Sequence, residues 1–515
     1  MQLSSSELSR QKVKPLEDLA KIISTHRAEG KVIVHAHGVF DLVHPGHIRY
    51  FDAARREGDI LVVTLTPDRY VNKGPDRPVF NEQLRAEFLS TLATVDYVAI
   101  NKWPTAVETI RLLKPDVYVK GSDYSKPEDD ITGGIIAEKE AIEEVGGRIH
   151  FTDEITFSSS NLLNGHLPTL PEEASTFLRR FRNKYTAGEI VRTLDLIRDL
   201  KVLIIGDVIV DEYVFCHVMG QASKSVALNA RYLAKEQHTG GVLAIARHIS
   251  DFCENPSLVS VLGPEKDYRD FIKSGLGDSV ECRFFDRTSG PTTVKRRFIE
   301  RFRYSKIFEL SFVDNRPLTR EESKEVAEHI DRVIDQFDLV LVADFGHGLM
   351  DGLLIELISA RARFLAVNAQ TNSANTGYNL ISKYPKADYV CIDQEEIRLA
   401  YSDRYGPLDI LMRRVSQDLQ AKVVTVTQGA SGSLIYSRDK DEFYQTPVFS
   451  EEVVDSTGAG DAFLAITSPL VARGVAPEIV GVIGNSIGAM AVKILGNKQP
   501  IQRVPLIKYL KTLLA

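Results

Sequence analysis

Two histidines near the N-terminus have the spacing needed to bind the phosphates of a nucleotide. They are His44 and His47 of the segment GVFDLVHPGH, residues 38–47, which lies between an apolar run and a helical pattern. If the helix starts near Pro45, its free amides and positive dipole end face any anion that docks there, and Gly46 lets a phosphate approach the backbone. His44 and His47 are three residues apart, so both can donate hydrogen bonds to an α-phosphate during in-line displacement. The alternatives are a histidine pair without a role and two ligands of a metal, although no carboxylate or cysteine cluster in the sequence completes a metal set.

A second candidate centre lies in the segment DSTGAGDAF, residues 455–463, which follows a strand-like run and precedes an apolar helix. Gly458, Ala459 and Gly460 would present bare backbone amides at a helix N-terminus, an anion hole for a phosphoryl group in transfer. Asp461, in the first turn, could accept the proton from an attacking hydroxyl. The alternative is an acidic residue that only satisfies the helix dipole.

The elements around these two segments predict a protein of two α/β domains. Strand-like runs alternate with helical stretches after a helix expected over residues 15–27, which predicts a parallel sheet with crossover helices. A proline-bearing segment at residues 164–176 leads into further helical stretches, and a second alternating series follows. The expected boundaries are a first domain over residues 1–165, a linker with a helical spacer over 166–200, and a second domain over 201–515.

The composition excludes several classes of protein. A net charge of −7 argues against a general nucleic-acid binder, which needs a basic surface. No apolar run approaches the ~20 residues that would span a bilayer, and no secretory signal is recognised, so we expect a soluble protein without a membrane partner. The cysteines lie far apart without CxxC spacing, which favours a reducing cytoplasm and neither a disulfide framework nor a zinc site. These cysteines are Cys216, Cys253, Cys282 and Cys391.

The N-terminal motifs resemble those of the cytidylyltransferase-like nucleotidyltransferases over roughly residues 31–164. Besides residues 38–47, the resemblance rests on a lysine-glycine pair at 73–74 followed by Arg85, on KGSDY at 120–124 and on FSSSN at 157–161. It implies a Rossmann-like domain in which catalysis and nucleotide binding fall to a defined set of residues. The catalytic residues would be His44, His47 and Lys120, and the nucleotide-binding residues Gly38, Val39, Phe40, Gly46, Lys73, Ser158, Ser159 and Ser160. His35 and His37 depart from the usual small or polar residues, and His37 could touch the nucleotide or simply pack.

The C-terminal motifs resemble those of the PfkB carbohydrate kinases from about Val202 to Gly496. The resemblance implies a ribokinase-like α/β domain with a small β-lid over the sugar. It further implies that Asp461 is the catalytic base and that residues 458–460 form the anion hole. It also implies sugar contacts from Asp211 and Gly241, nucleotide contacts from Thr427 and Gly429, and an indirect link to magnesium from Glu396.

Three departures from the kinase pattern concern the substrate. Ala244 stands where the family usually has an asparagine that contacts the sugar. His347 replaces a frequent lysine, and Asn368 with Gln370 replaces the usual Asp-Pro-Lys. These differences leave open whether the domain turns over.

A basic stretch at residues 293–303 suggests how a charged sugar could be held. If it forms a strand, alternation places Lys295, Arg297, Arg301 and Arg303 on one face. Since the family has its β-lid here, Arg297 and Arg301 are predicted to bind the phosphate of a sugar phosphate. The alternative is a solvent-facing or dimer-contacting strand face.

Together the two halves resemble the bifunctional enzymes of ADP-heptose synthesis, with the order of the domains reversed. The resemblance implies phosphorylation of heptose 7-phosphate at the anomeric position, followed by transfer of an adenylyl group to the sugar 1-phosphate. Mg²⁺ and ATP are the expected cofactors, and CTP remains an alternative for the transferase. A small-molecule sugar phosphate, a nucleoside triphosphate and a second copy of the chain in a homo-oligomer are the expected partners. The alternatives are a cytidylyltransferase for another polyol or sugar phosphate with a matching kinase, and one whose kinase-like domain is catalytically silent.

Overall fold

The computed structural model describes residues 11–71, 78–121, 134–152, 170–302 and 305–514. The chain forms two compact units, one of residues 1–169 with 507–515 and the other of residues 170–506. Among the described residues, no helix combines the length and the apolar character needed to cross a membrane.

The N-terminal unit is built on a five-stranded sheet in the order β3-β2-β1-β4-β5, in which every pairing is parallel. Its strands are β1 Ile33–Gly38, β2 Ile60–Leu65, β3 Tyr97–Ile100, β4 Val117–Gly121 and β5 Arg148–Thr152. Its helices are α1 Leu16–Ala28, α2 Pro45–Arg56, α3 Glu82–Ser90, α4 Val107–Leu113 and α5 Gly134–Glu144. The expected Rossmann-like sheet and the helix start at Pro45 are therefore confirmed.

Helices cover both faces of this sheet because successive strand residues point to opposite sides. Val34 packs in one buried cluster with Phe51 of α2, whereas its neighbour Ile33 packs in another with Leu19 and Ile23 of α1. This two-sided burial fixes the end of β1, where the segment of residues 38–47 begins.

The C-terminal unit contains a nine-stranded sheet in the order β10-β9-β6-β13-β14-β15-β16-β17-β18. Its parallel strands are β6 Val202–Gly206, β9 Ser257–Leu262, β10 Glu281–Asp286, β13 Leu339–Asp344, β14 Leu365–Ala369, β15 Tyr389–Asp393 and β16 Val423–Thr427. The antiparallel strands β17 Ser433–Ser437 and β18 Glu442–Thr446 complete the edge. The helices of this unit are α6 Glu172–Arg182, α7 Ala187–Thr193, α8 Val242–Ile249, α9 Lys266–Leu276, α10 Arg320–Val333, α11 Gly352–Arg361, α12 Gln394–Ala400, α13 Leu408–Asp418, α14 Ala459–Ala472 and α15 Pro477–Ala491. A last helix, α16, spans Arg503–Leu513.

A second, four-stranded sheet in the order β12-β11-β7-β8 completes this unit and is called the small sheet. Its strands are β7 Val208–Gln221, β8 Leu228–Gly241, β11 Thr293–Glu300 and β12 Lys306–Phe312. Strand β11 ends at Glu300, so the predicted strand over residues 293–303 is too long. Arg301 lies in the turn that follows, and Arg303 lies outside the described residues.

The segment predicted as a linker with a helical spacer is helical and packs within the C-terminal unit. The Phe177 ring of α6 lies 6.5 Å from that of Phe449, measured between centroids. Lys184 Nζ lies 2.5 Å from Glu478 Oε2, and Tyr185 donates a hydrogen bond of 2.8 Å to the same oxygen. Residues 170–193 thus contribute to the packing of this unit.

We expect Phe181→Ala to destabilise the C-terminal unit by about 3–5 kcal/mol, the usual cost of removing a buried aromatic ring. Phe181 is buried on α6 and its ring contacts those of Phe177 and Tyr185. Calorimetric unfolding of the full chain measures this effect. Trp103, the single tryptophan, lies in the N-terminal unit, so its fluorescence transition should stay unchanged. Arg180→Ala removes an exposed side chain of the same helix and is the matched control; equal unfolding temperatures for the two variants would contradict the prediction.

Candidate active sites

The two histidines of the N-terminal unit cap the first turn of α2. His44 is the N-cap residue, and its Nδ1 accepts a hydrogen bond of 3.1 Å from the Gly46 amide. His47 Nδ1 accepts one of 3.4 Å from the His44 amide, and the two ring centroids are 4.0 Å apart. Because Nδ1 accepts a hydrogen bond in both rings, the ring hydrogen of each histidine is on Nε2. The pair therefore has two Nε2–H donors at the positive end of a helix.

The turn between β1 and α2 has a strained and closely packed backbone. Phe40 adopts a left-handed φ of 46°. Its ring packs edge-on against His47 at 5.4 Å between centroids. A Cβ atom at Gly38 would lie only 2.9 Å from Phe40 Cζ, so this close approach requires glycine there. Gly38 and Phe40 thus shape the turn that carries His44.

Arg85 of α3 binds the backbone of this turn through hydrogen bonds. Its fully buried guanidinium donates hydrogen bonds to the backbone carbonyls of Val39 and Thr66, the second at 2.9 Å. It also forms an ion pair of 2.5 Å with Asp68. Arg85 belongs to the N-terminal motifs without a predicted role, and these contacts give it one in positioning the turn.

Lys120 closes the edge of the site at the end of β4. Its Nζ lies 2.8 Å from Glu138 Oε2, and both side chains are almost fully buried.

His37 hydrogen-bonds to Thr64 Oγ1 at 2.8 Å, and the same hydroxyl lies 2.7 Å from His35 Nε2. Burial, with a contribution from the Lys120 charge, lowers the pKa of His35 to about 3 and that of His37 well below its usual value, so both rings are neutral. The predicted contacts from Lys73, Ser158, Ser159 and Ser160 lie outside the described residues.

Asp461 of the C-terminal unit is buried in the first turn of α14. Its Oδ1 accepts a hydrogen bond of 2.9 Å from Gln370 Nε2. Burial, with a smaller contribution from Asp211, raises the pKa of Asp461 to about 7, although the hydrogen bond from Gln370 and the charge of Lys295 oppose the rise. A carboxylate with this pKa suits a general base near neutral pH.

The backbone before Asp461 depends on a glycine. Gly458 is the N-cap of α14 with φ 83°, and a Cβ there would lie 1.9 Å from Asn497 Oδ1. By contrast, a Cβ at Gly460 would meet no atom within 4 Å. The first helical residues, Ala459 and Gly460, follow Gly458 without a side-chain cap, as an anion hole requires.

Asp455, at the start of the same motif, has a positioning role. Lys306 Nζ lies 2.8 Å from Asp455 Oδ1 and 2.7 Å from Thr457 Oγ1, and the Tyr213 hydroxyl donates to Asp455 Oδ2 at 2.9 Å. Although burial opposes it, the hydrogen bonds from Lys306 and from the amide and hydroxyl of Thr457 lower the pKa of Asp455 to about 2. Neither Lys306 nor Tyr213 had a local signal in the sequence, since both reach Asp455 from the small sheet.

Asp211 and Arg297 lie on one face of the small sheet and form a buried ion pair. Arg297 Nε also lies 2.8 Å from Glu309 Oε2. Burial alone would lower the pKa of Arg297, but the two carboxylates raise it. The charge of Arg297 is therefore balanced within the protein. Exposed Arg301 lies beyond the end of β11, so the predicted basic stripe is not formed as expected.

Two glycines let β7 and β8 approach each other beside Asp211. A Cβ at Gly240 would lie 2.1 Å from Asp211 Oδ2. Gly241 has φ 56°, and a Cβ there would lie 2.7 Å from the Asp207 carbonyl oxygen. Gly240 therefore lies directly against Asp211, whereas Gly241 lies beside Asp207 and pairs with Val208. The sugar contacts predicted for Asp211 and Gly241 stay predictions.

Glu396 stabilises the start of α12. Its carboxylate accepts hydrogen bonds from the Asp393 amide at 2.8 Å and the Thr371 amide at 3.1 Å. Burial, followed by repulsion from Asp393, raises the pKa of Glu396 to about 8. The neighbouring strand β16 ends at Thr427, and Gly429 adopts φ 55° in the turn that follows it.

Comparison with known proteins agrees with this division of the chain. Residues 200–502 match the family described as pfkB family carbohydrate kinase, and residues 35–164 match the description Cytidylyltransferase-like. The order of the two regions is the predicted one.

The similar curated proteins match over part of their length. The Bifunctional protein HldE of Gluconobacter oxydans is 38% identical over 180 residues, which cover 33% of this chain and 36% of that protein. The Bifunctional protein HldE of Trichlorobacter lovleyi is 41% identical over 143 residues, covering 27% of this chain and 28% of that protein. The chain thus spans about a third of the length of the curated relatives it matches.

A solved structure shares the fold of the larger unit. It is that of Phosphofructokinase-2 from Escherichia coli in complex with substrates and products, with 16% sequence identity and a TM-score of 0.50. The match covers 61% of this chain and 99% of that one. It supports the predicted ribokinase-like fold.

We expect Arg85→Met to destabilise the N-terminal unit by about 3–5 kcal/mol, because it leaves buried acceptors and Asp68 without their donor. Denaturant unfolding followed by Trp103 fluorescence reports on this unit. Arg56→Met, at an exposed arginine, is the control. An equal midpoint for both variants would show that Arg85 does not hold the turn.

Proposed function

Because the chain belongs to the pfkB carbohydrate kinase family, we propose that it activates a sugar in two steps, with the C-terminal unit phosphorylating the sugar and the N-terminal unit transferring a nucleotidyl group to the product. Heptose 7-phosphate is the proposed acceptor, which gives a sugar 1-phosphate and then an ADP-heptose-like product with release of pyrophosphate. One observation supports this most directly: a buried carboxylate, Asp461, directly follows the helix start at residues 458–460 in one unit, and a histidine pair caps a helix start in the other. Cytoplasmic location and homo-oligomer formation remain part of the proposal.

In the kinase step, Asp461 accepts the proton of the anomeric hydroxyl as its oxygen attacks the γ-phosphorus of ATP. The bond from that phosphorus to the β,γ-bridging oxygen breaks, and ADP leaves. Amides at the start of α14 stabilise the negative charge that develops on the phosphoryl oxygens. Asp211 would hold sugar hydroxyls, and its ion pair with Arg297 fixes its position.

In the transfer step, an oxygen of the sugar 1-phosphate attacks the α-phosphorus of the nucleoside triphosphate, and pyrophosphate leaves. The Nε2–H groups of His44 and His47 donate to the α-phosphate oxygens as their charge increases. Lys120 would neutralise a phosphate once it exchanges Glu138 for the substrate. ATP is the proposed donor, and CTP is the alternative because the histidine motif contacts phosphates rather than the base.

Mg²⁺ fits the surroundings of Glu396. Two carboxyls, those of Asp393 and Glu396, lie together at the start of α12, and carboxylate oxygens are the donors that Mg²⁺ prefers. Glu396 would hold the ion indirectly, and the ion would supply positive charge that lowers the repulsion met by the attacking oxygen. Thr427 and Gly429, at the end of β16, would border the nucleotide.

A second candidate is a cytidylyltransferase for another polyol or sugar phosphate with a silent kinase-like domain. Buried Ala244 favours it, because alanine cannot make the usual sugar contact. The raised pKa of Asp461 and its bond to Gln370 oppose it, since a silent domain needs no tuned base.

Paired substitutions test the two-step proposal in the full chain. His47→Asn should lower pyrophosphate release with a sugar 1-phosphate by roughly 10²-fold or more, the cost of deleting an oxyanion donor, and leave ADP release unchanged. Asp461→Asn should do the reverse, since the amide is nearly isosteric but cannot take a proton. Each variant is the control for the other. Normal pyrophosphate release by His47→Asn would reject the transferase assignment, whereas ATP binding without phosphorylation of any sugar by the wild type would favour the silent domain.

The pH profile tests the base separately. With a pKa of about 7, Asp461 is protonated below neutral pH, so kcat/KM for phosphorylation should fall about tenfold per pH unit below 7. Gln370→Leu removes a hydrogen bond that favours the charged carboxylate, which raises the pKa and moves the acidic limb to higher pH. A limb at the same pH in both proteins would show that another group titrates.

A further inference from the structure

Lys295, on the small sheet, is a half-buried cation with no ion pair or hydrogen bond from its amine within the described part of the chain. In register it stands between Asp211 of β7 and Ser311 of β12, so the three side chains share one face. Arg297, two residues along, is on the same face but is bound by Asp211 and Glu309. Lys295 is therefore the described cation of this face that is available to a ligand.

The charges around Lys295 place its amine at the candidate kinase centre. Burial lowers its pKa, and the nearby groups acting on it include Asp211, Arg297, Glu309 and Asp461. These groups come from three strands of the small sheet and from the start of α14. Lys295 is thus the neighbour, in register, of Asp211, the residue proposed to hold the acceptor sugar.

His347, in the loop after β13, faces the same region with an unused acceptor. It is only 2% exposed, and its Nδ1 lies 2.9 Å from Asn315 Oδ1. Because the Asn315 amide group donates to the Ala374 carbonyl, Oδ1 is the atom that faces the ring, and Nδ1 must donate. Burial, with the charges of Lys295 and Arg287, lowers the pKa of His347 to about 3, so the ring is neutral. Its Nε2 is thus a buried acceptor, and it has no partner among the residues described by the structure.

We propose that Lys295 and His347 form one subsite for a phosphorylated sugar, in which Lys295 donates to a phosphoryl oxygen and His347 Nε2 accepts a hydrogen bond from a neighbouring hydroxyl. An anionic oxygen beside a hydroxyl is the chemistry of a sugar phosphate, and it satisfies both groups at once. The inference rests on the proposed kinase function and assigns two further residues to its substrate site. The phosphoryl oxygen belongs either to the phosphate that the sugar already carries or to the group in transfer from ATP.

Steady-state kinetics of Lys295→Gln in the full chain distinguish these two sources. With heptose 7-phosphate, loss of a charge-assisted hydrogen bond should change either KM or kcat by about 10- to 100-fold. If the bound phosphate is the one on the sugar, KM for heptose 7-phosphate rises while turnover of unphosphorylated heptose is unchanged. If it is the group in transfer, kcat falls with both acceptors and KM changes little. Unchanged kinetics with both acceptors would overturn the subsite.

Arg296→Gln is the matched control, because Arg296 is the next residue of β11 and points to the opposite face, where it pairs with Glu212 at 2.6 Å. A general effect of charge on the sheet would affect both variants equally and would count against the subsite. His347→Leu should also raise KM for heptose 7-phosphate. His347→Gln, which restores an acceptor oxygen, should bring this KM part of the way back to the wild-type value. Should His347→Leu fail to fold, Lys295→Gln still decides.

Calorimetric binding of heptose 7-phosphate without nucleotide separates this inference from the proposed function. Binding by a wild type that shows no turnover, weakened about tenfold or more by Lys295→Gln, would contradict the kinase proposal and support the subsite. No binding of the sugar phosphate by the wild type would overturn the subsite, even if the chain phosphorylates another sugar.

Discussion

Both candidate sites depend on the unsatisfied backbone amides at the start of a helix in an α/β unit. The two helices treat these amides differently. At α2 the imidazoles of His44 and His47 accept from backbone amides, so the anion-binding end of the helix also fixes the tautomer of its own side chains. At α14 no side chain caps the first turn, and the Ala459 amide donates to the Ser456 carbonyl at 3.3 Å. The first arrangement presents ring N–H donors, and the second presents the backbone itself.

Neighbouring charges separate the roles of the carboxylates in the kinase site. Asp455 and Asp461 are six residues apart and both are buried, yet their pKa values are shifted to about 2 and about 7. Asp455 has Lys306 as a direct ion-pair partner, whereas the partner of Asp461 is the neutral amide of Gln370. A carboxylate held by a cation keeps its charge and its place. One held by an amide can exchange a proton near neutral pH, which suits it to be the base.

The sequence was sufficient to predict elements whose signal is local. The alternating apolar runs predicted the parallel sheet of the N-terminal unit and a second α/β unit after it. Pro45 predicted the start of α2 because proline suits the first helical position. The placement of Asp461 in a first turn followed in the same way. The contacts predicted for Lys73 and for residues 158–160 remain predictions.

Contacts between distant parts of the chain could not be predicted in this way. Asp211 and Arg297 are 86 residues apart, and Lys306 and Asp455 are 149 apart. Strict alternation does not extend past Glu300, so Arg301 lies in the turn after β11, although its guanidinium still lies 5.7 Å from the centroid of the Phe215 ring. The sequence also could not show that the charge of Arg297 is already balanced, since that depends on Glu309 of the neighbouring strand.

The departures from the kinase pattern concern the acceptor side more than the reaction itself. Asn368 donates to the Cys391 carbonyl at 2.7 Å, and Gln370 donates to the base, so both replacements are integrated into the hydrogen bonding of the site. At position 347 a neutral histidine stands where a lysine is frequent, while Lys295 supplies a cation from β11. A domain that had lost its activity would have no reason to keep a hydrogen bond that tunes Asp461. The pattern is better explained by a changed mode of holding the sugar around an unchanged phosphoryl-transfer centre.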